Sequence, residues 1–518
     1  GKKAAQMYAT VIPQLESVEF VQDSTQTNFK TIFKFEASET DEIKAFDEFL
    51  SAAIEDIDYF KLSISKDRYD TNTIFVVVHG LKSVQGAFGF AEILKNPNDV
   101  RYIMEKAFFL STNGRPGPVW IDIPLDVQKA EVKKNLLKPF IKNKINLNRN
   151  KLKKDIDKAL VLLKKSSKPL LVVGNGVKQS KTIGDLKKLI KKTKIPTIFS
   201  RFGHDLISHD NKHIMGQAGI KGSRFCKKIM NQSDLVLSLG CRLAPQFVGH
   251  NFKAFSNAKV ISVDVEKDEL IKKGQKIDLK LNYDLKEFFP KFIGSLKNLN
   301  FNKYKNWTDY CEKLKKNNPI INEKHKKNPI DLYYFMERLG ELSKKNDILI
   351  TDAGSNYYVG GQVWKFKKGQ KEICSVANAA MGLSVPLSIG AAVASPKSMV
   401  LAVTGDGSLE LNIQELKTIS HNKFNIKLFV INNGGYVSMH NWADTFFKGR
   451  RLDTAKDTGD GTLNLKNIAK AFDMDHFLIN DYKQIDRDLK FILKSKKPLF
   501  IEVMTDTKQK VYDSFKDH

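Results

Sequence analysis

Short, almost wholly apolar runs alternate with longer amphipathic segments along most of the chain. That pattern predicts an α/β protein whose parallel sheets are covered by helices. In a first unit, "NTIFVVVHG" (residues 72–80) and "PVWIDIP" (residues 118–124) read as buried strands. Between them "NDVRYIMEKAFFLSTNGRPG" reads as a helix, capped by Asn98 or Asp99 and stopped by Gly114 and Pro116. After a Lys/Asn-rich stretch, "KPLLVVGNGV", "IPTIFS", "SDLVLSLGCRL" and "AKVISVDVE" predict four strands of a second unit. A basic connector then leads to a third, with strands "DILITDAG", "EICSVAN", "MVLAVTGDG", "IKLFVINN" and "PLFIEVMTD". The expectation is three doubly wound, mostly parallel sheet domains: an N-terminal one at 1–135, a central Rossmann-like one at 150–290 and a C-terminal one at 328–510. A length of 518 residues suits about three domains of ordinary size.

Two strands of the third unit end in unusual chemistry. In "VTGDGSLELNIQELKTISHNKFNIKLFVINNGGY" one stops at Gly405-Asp406-Gly407, and the next at Asn433 followed by Gly434 and Gly435. In an open parallel sheet, ligands bind beyond the carboxyl ends of the strands. Gly405 and Gly407 let the backbone turn tightly, and the following segment starts a helix whose free N–H groups suit an anion. Asp406 and Asn433 offer hard oxygens, and the glycines after Asn433 expose carbonyls. Few protein oxygens combined with phosphate oxygens and water is how Mg²⁺ is usually held. The constellation predicts a divalent metal clamping a phosphorylated ligand, with Gly354, Ser355 and Asn356 near the phosphate oxygens. A second Gly-Asp-Gly, at 459–461, follows no apolar strand and reads as a surface turn.

Composition narrows the classes. Hydrophobic residues make up 42% and aromatics 10%, as in globular proteins, and no apolar run approaches the roughly 20 residues that span a bilayer. The longest, "MGLSVPLSIGAAVAS", reads as the start of a buried helix. "GKKAAQMYAT" has no apolar core of a signal peptide, and it lacks an initiator Met, so a trimmed or lost start is expected. Cys226, Cys241, Cys311 and Cys374 fit no metal or disulfide spacing and read as reduced thiols of a cytoplasmic protein. The net charge of +27 raises the question of nucleic acid. The lysines are scattered over helix faces, however, without a zinc finger, an RRM-like aromatic strand or an Arg-rich arm. Neither nucleic acid nor membrane is an expected partner.

The run of motifs resembles the thiamine-diphosphate (ThDP) enzyme family, in its acetolactate synthase-like (large subunit-like) branch. The resemblance is carried by "ITDAGSNYYVGGQ", "AAMGLSVPLSIGAA", "GDGSLELNIQEL", "FVINNGGYVS" and "FFKGR", with "STNGRPGPVWIDIPLDVQ" and "GQAGIKGSRFCKKIMNQSDLVLSLGCRL" upstream. It implies that Asp406, the Asn433 side chain and the Gly435 carbonyl bind Mg²⁺. Gly354, Ser355, Asn356, Gly405, Gly407 and Ser408 would surround the diphosphate, and Met381 would prop ThDP in a bent conformation. Trp442, Phe446 and Phe447 follow the metal loop as either substrate-facing groups or packing. The implied reaction is decarboxylation or carboligation of a 2-oxo acid in a homodimer or homotetramer.

The N-terminal region departs from the family. Its activating glutamate in an "HEQAA"-like helix and its "TSGPG"-like loop have no counterpart here. Glu36 in "FKFEASE" is a candidate within a stretch dense in acidic residues, and "GAFGFAE" resembles later first-domain text. No catalytic residue is assigned. One branch of the family works with an aliphatic residue in place of the glutamate, so two readings stand: an active enzyme, or a ThDP-binding but catalytically silent homologue with a structural or regulatory role. In the central unit, "LAPQFVG" (residues 243–249) replaces a more charged family segment, which leaves FAD possible but puts it, and branched-chain amino-acid synthesis, in doubt.

Overall fold

The computed structural model describes residues 15–22, 29–35, 62–66, 73–78, 90–142 and 148–514, apart from 298, 376–378, 455–457 and 460. The chain divides into two compact units, residues 1–146 and 147–518.

The first unit corrects one expectation. Its strands β1 (Leu15–Gln22), β2 (Phe29–Phe35), β3 (Leu62–Lys66) and β4 (Thr73–Val78) form an antiparallel sheet of order β1-β2-β4-β3, not a parallel one. Only residues 23–28 join β1 to β2, and only 67–72 join β3 to β4. Connections this short allow hairpin pairing, whereas a parallel pair needs a crossover of a dozen or more residues. The parallel element of this unit is the pair β5 (Phe90–Ile93) and β6 (Val119–Asp122), linked through the helix Val100–Thr112. Asn96 accepts the Asn98 N–H ahead of that helix, and Gly114 beyond it has φ +66°. Strand β6 alternates half-buried and exposed residues, with Trp120 48% exposed, so it is not the buried strand expected.

The second unit holds two six-stranded, all-parallel sheets. The central sheet comprises β7 (Pro169–Val173), β8 (Thr197–Phe199), β9 (Ile214–Gln217), β10 (Leu235–Leu239), β11 (Lys259–Asp264) and β12 (Leu279–Asn282). Its order, β12-β11-β10-β7-β8-β9, is doubly wound, with the reversal between β7 and β10. The C-terminal sheet comprises β13 (Ile348–Thr351), β14 (Lys371–Cys374), β15 (Val400–Gly405), β16 (Ile426–Asn432), β17 (His476–Ile479) and β18 (Leu499–Met504). Its order is β14-β13-β15-β16-β18-β17, so the reversal falls between β13 and β15.

Strict alternation divides each sheet's strands between two cores, as side chains on opposite faces must. Leu349, Leu401, Val403, Phe429 and Ile431 pack on one face of the C-terminal sheet, and Ile350, Ala402, Leu428 and Val430 on the other. Strands β9, β12 and β17 were not expected; "IMGQ", "LKLN" and "HFLI" are too short and too polar to announce a buried strand. Residues 384–394 form the anticipated helix, with Ser384, Val385, Ser388 and Ala391 buried. No helix among the described residues is long and apolar enough to cross a membrane. Cys226, Cys241 and Cys311 are buried, unbridged thiols, and burial pushes Cys226 and Cys241 up to about 12.

Candidate functional site

The reversal of the C-terminal sheet brings three polar strand ends together. Strand β13 runs into Asp352-Ala353-Gly354, β15 into Asp406, and β16 into Asn433-Gly434-Gly435. Parallel pairing of Gly405 with Ile431 sets the last two ends side by side. Asp406 Oδ2 accepts the N–H groups of Asn433 (3.2 Å), Gly434 (2.9 Å) and Gly435 (3.1 Å), while Oδ1 accepts that of Gly407 (3.0 Å). Burial pushes its carboxyl above the usual range, and these amides pull against that. Gly435 has φ +120°, which an L side chain rarely adopts, and this lets successive amides curl around one carboxylate.

Within that curl, the amide oxygen of Asn433 lies 2.8 Å from the Gly435 carbonyl oxygen and 3.2 Å from Asp406 Oδ1. With the oxygen in that position the three groups are poorly matched. Either the amide turns over and its nitrogen donates to both, or a cation sits among the oxygens. Neighbouring ligands of an octahedral Mg²⁺ stand about 2.9 Å apart, so the oxygen orientation fits that ion.

The other residues singled out by the sequence gather at the same edge. Gly407 lies against the ring of Tyr436, where an added Cβ would stand 2.5 Å from Cε1. Ser408 is buried one residue further on. Gly354 precedes the helix Ser355–Val363, and Ser355 Oγ is 3.3 Å from Ser438 Oγ. Asn356 turns inward: its Oδ1 accepts the Asp352 N–H at 2.9 Å, so its side chain shapes the turn. Met381 is half-buried and lies outside the buried core. Trp442, Phe446 and Phe447 are 53%, 60% and 48% exposed, which excludes ordinary core packing within this chain. The second Gly-Asp-Gly lies in a turn in which Thr458 O accepts from Asp453 N at 2.8 Å and Gly459 has φ +111°; Asp460 lies outside the described residues. So do Glu36 and residues 86–89 of "GAFGFAE".

Sequence reasoning missed Asp352 and Ser438. Asp352, 1% exposed, accepts the N–H groups of Ala353 (2.8 Å), Gly382 (3.0 Å) and Ser384 (3.1 Å) and the Thr404 hydroxyl (3.1 Å). It ties the Met381 loop to both strand tips. Its signal was present in the sequence: like Asp406, it is a carboxylate directly after an apolar strand.

A model of the thiamine pyrophosphate enzyme C-terminal TPP-binding domain matches residues 352–503, and one of the central domain matches residues 156–292. The chain belongs to the thiamine pyrophosphate enzyme family. Within it, the chain falls in the acetolactate synthase-like branch. It is 28% identical to the acetolactate synthase large subunit of Porphyra purpurea over 434 residues, covering 81% of this chain and 71% of that protein. It is 27% identical over 420 residues to the acetolactate synthase isozyme 1 large subunit of Escherichia coli, covering 81% and 73%. A probable acetolactate synthase large subunit of Methanocaldococcus jannaschii is 28% identical over 425 residues, covering 80% and 71%.

In the central sheet the ends of β7 and β10 approach each other closely. At its reversal, Gly176 N donates to Gly240 O at 2.9 Å, and a Cβ on Gly174 would fall 2.2 Å from that same oxygen.

Proposed function

We infer that this chain is a ThDP- and Mg²⁺-dependent enzyme that decarboxylates or carboligates a 2-oxo acid. The observation that carries the reading is the convergence of the Asp406 carboxylate, the Asn433 carboxamide and the Gly435 carbonyl at the reversal of the C-terminal sheet. Their oxygens would hold Mg²⁺. The N-terminal amides of the helix Ser355–Val363 and the hydroxyls of Ser355, Ser408 and Ser438 would meet the diphosphate oxygens. Met381 would support the body of the cofactor from the loop anchored on Asp352. When bound, ThDP supplies a nucleophilic carbon that adds to the 2-oxo carbonyl and accepts the electron pair released with carbon dioxide. The chain's own work is to orient, to exclude water and to fix charge. Relatives carry the name "large subunit", and a smaller partner chain together with self-association into dimers or tetramers belongs to this reading.

A second reading is a ThDP-binding but catalytically silent homologue. The antiparallel sheet of the first unit, in place of a parallel one, favours it. Calorimetry with ThDP in the presence and absence of Mg²⁺, followed by carbon dioxide release from a panel of 2-oxo acids, separates the two. Binding with turnover supports the enzyme, binding without turnover the silent homologue, and no Mg²⁺-dependent binding rejects both.

A further inference from the structure

The sequence "SRFGHD" (residues 200–205), at the end of β8 in the central sheet, plays no part in the site described above. Its arginine reaches across to the C-terminal sheet. The Arg201 guanidinium makes a two-pronged ion pair with Glu372 of β14, both side chains being at least 89% buried. Glu372 also accepts the Thr351 hydroxyl at 2.7 Å, and His204 Nε2 lies 3.1 Å from it. The same guanidinium donates to the Tyr357 carbonyl at 2.9 Å and lies 4.1 Å from the centre of the Tyr357 ring.

These partners flank one turn. Thr351 is the last residue of β13, immediately before Asp352, and Tyr357 lies in the first turn of the helix that begins at Ser355. One side chain of the central sheet therefore holds the strand side of residues 352–356 through Glu372 and the helix side directly. Asp352, inside the turn, carries the restraint on to Gly382, Ser384 and Thr404. Burial opposes the charge on both partners, yet their mutual attraction keeps Glu372 well below the ordinary carboxylate range and Arg201 above its own.

We propose that Arg201, acting through Glu372 and Tyr357, is a positioning residue that holds the 352–356 turn in the shape that receives the diphosphate. This rests on the reading of that turn as part of the ThDP site, but its structural half does not need the cofactor.

The test uses the full chain in five forms: wild type, Arg201→Met, Arg201→Lys, Thr351→Val and a control, Arg338→Met. The control breaks the ion pair with Asp486, in the same unit but away from the strand ends. Thr351→Val removes one hydroxyl without stranding a buried charge, and it serves if Arg201→Met does not fold. Amide hydrogen exchange is read without cofactor, ThDP affinity with Mg²⁺, and the melting temperature throughout. Arg201→Met or Thr351→Val is expected to speed exchange at 353–358 at least about tenfold more than in β16 and β18. Each is also expected to weaken ThDP about tenfold beyond a control of equal melting temperature, and Arg201→Lys should recover only part of either effect. Exchange that rises equally across the sheet, or affinity that merely follows the melting temperature, overturns the proposal. If wild type binds no ThDP but selective exchange appears, the functional reading fails while the restraint on the turn stands.

Discussion

The Asn433 carboxamide stands 3.2 Å from Asp406 Oδ1, close enough for its nitrogen, with the amide turned over, to donate to the carboxylate. The pair is brought together by parallel register between β15 and β16, and Gly435 O closes the group. Asp406 Oδ1 and Gly435 O each accept one backbone N–H, from Gly407 and Val437, and keep a lone pair for the turned Asn433 amide or for a cation.

Asp406→Asn and Asn433→Ala each remove one oxygen from this group. Each is expected to weaken Mg²⁺-dependent ThDP binding by about 100-fold or more, beyond the 10–100-fold typical of residues behind the ligands. Titration calorimetry at fixed ThDP and varied Mg²⁺ measures it. Wild-type affinity in Asp406→Asn would remove the carboxylate from the metal site.

The pH dependence follows from the raised Asp406 carboxyl. Its folded pKa lies above its unfolded value, so the folded state binds the proton more tightly. The contribution to metal-free stability is therefore largest below the unfolded pKa, near 4, and falls as pH rises to the folded pKa. Mg²⁺ competes for the same charge, so its affinity should rise with pH across that window. Urea melts of wild type minus Asp406→Asn, with and without Mg²⁺, isolate the effect from other carboxylates. A difference that grows with pH in the metal-free protein contradicts it.

Asp352→Ala strips acceptors from Ala353, Gly382, Ser384 and Thr404 at once. Hydrogen bonds to a charged group contribute about 1.5–3 kcal/mol each and are not additive, so a loss of at least about 2 kcal/mol is expected in urea unfolding. ThDP affinity should fall with it, since the Met381 loop loses its anchor. An unchanged midpoint would show that Asp352 is not the tie between these strand tips.

Trp442→Ala and Phe446→Ala act differently. Both rings are more than half exposed, with centroids 4.3 Å apart, so truncation should change stability by no more than about 0.5 kcal/mol. If they face substrate, KM or kcat for the preferred 2-oxo acid shifts by about tenfold or more while the melting temperature holds. A melting temperature that falls steeply with protein concentration in the variants would instead place them at a contact between copies.

The strand–Gly-Asp-Gly–helix–strand–Asn-Asn order was legible in the sequence, because β15 and β16 are apolar at nearly every position and their polar ends stand out by contrast. The same reading gave β7, β10 and β11 and the doubly wound class of the second unit. It failed for β9, β12 and β17, short strands at or beside sheet edges, and for the first unit, where hairpin-length connections outweighed strand composition. Asp352 was visible as a residue, but its partners Gly382, Ser384 and Thr404 are met only after the chain has returned twice to the same edge. Arg201 and Glu372 lie 171 positions apart and carry no shared local pattern. Periodicity reports which face of a segment avoids water, because that preference acts on neighbouring residues. Which distant charge completes a buried carboxylate is decided only when the two sheets close on each other and exclude the solvent that would otherwise satisfy both.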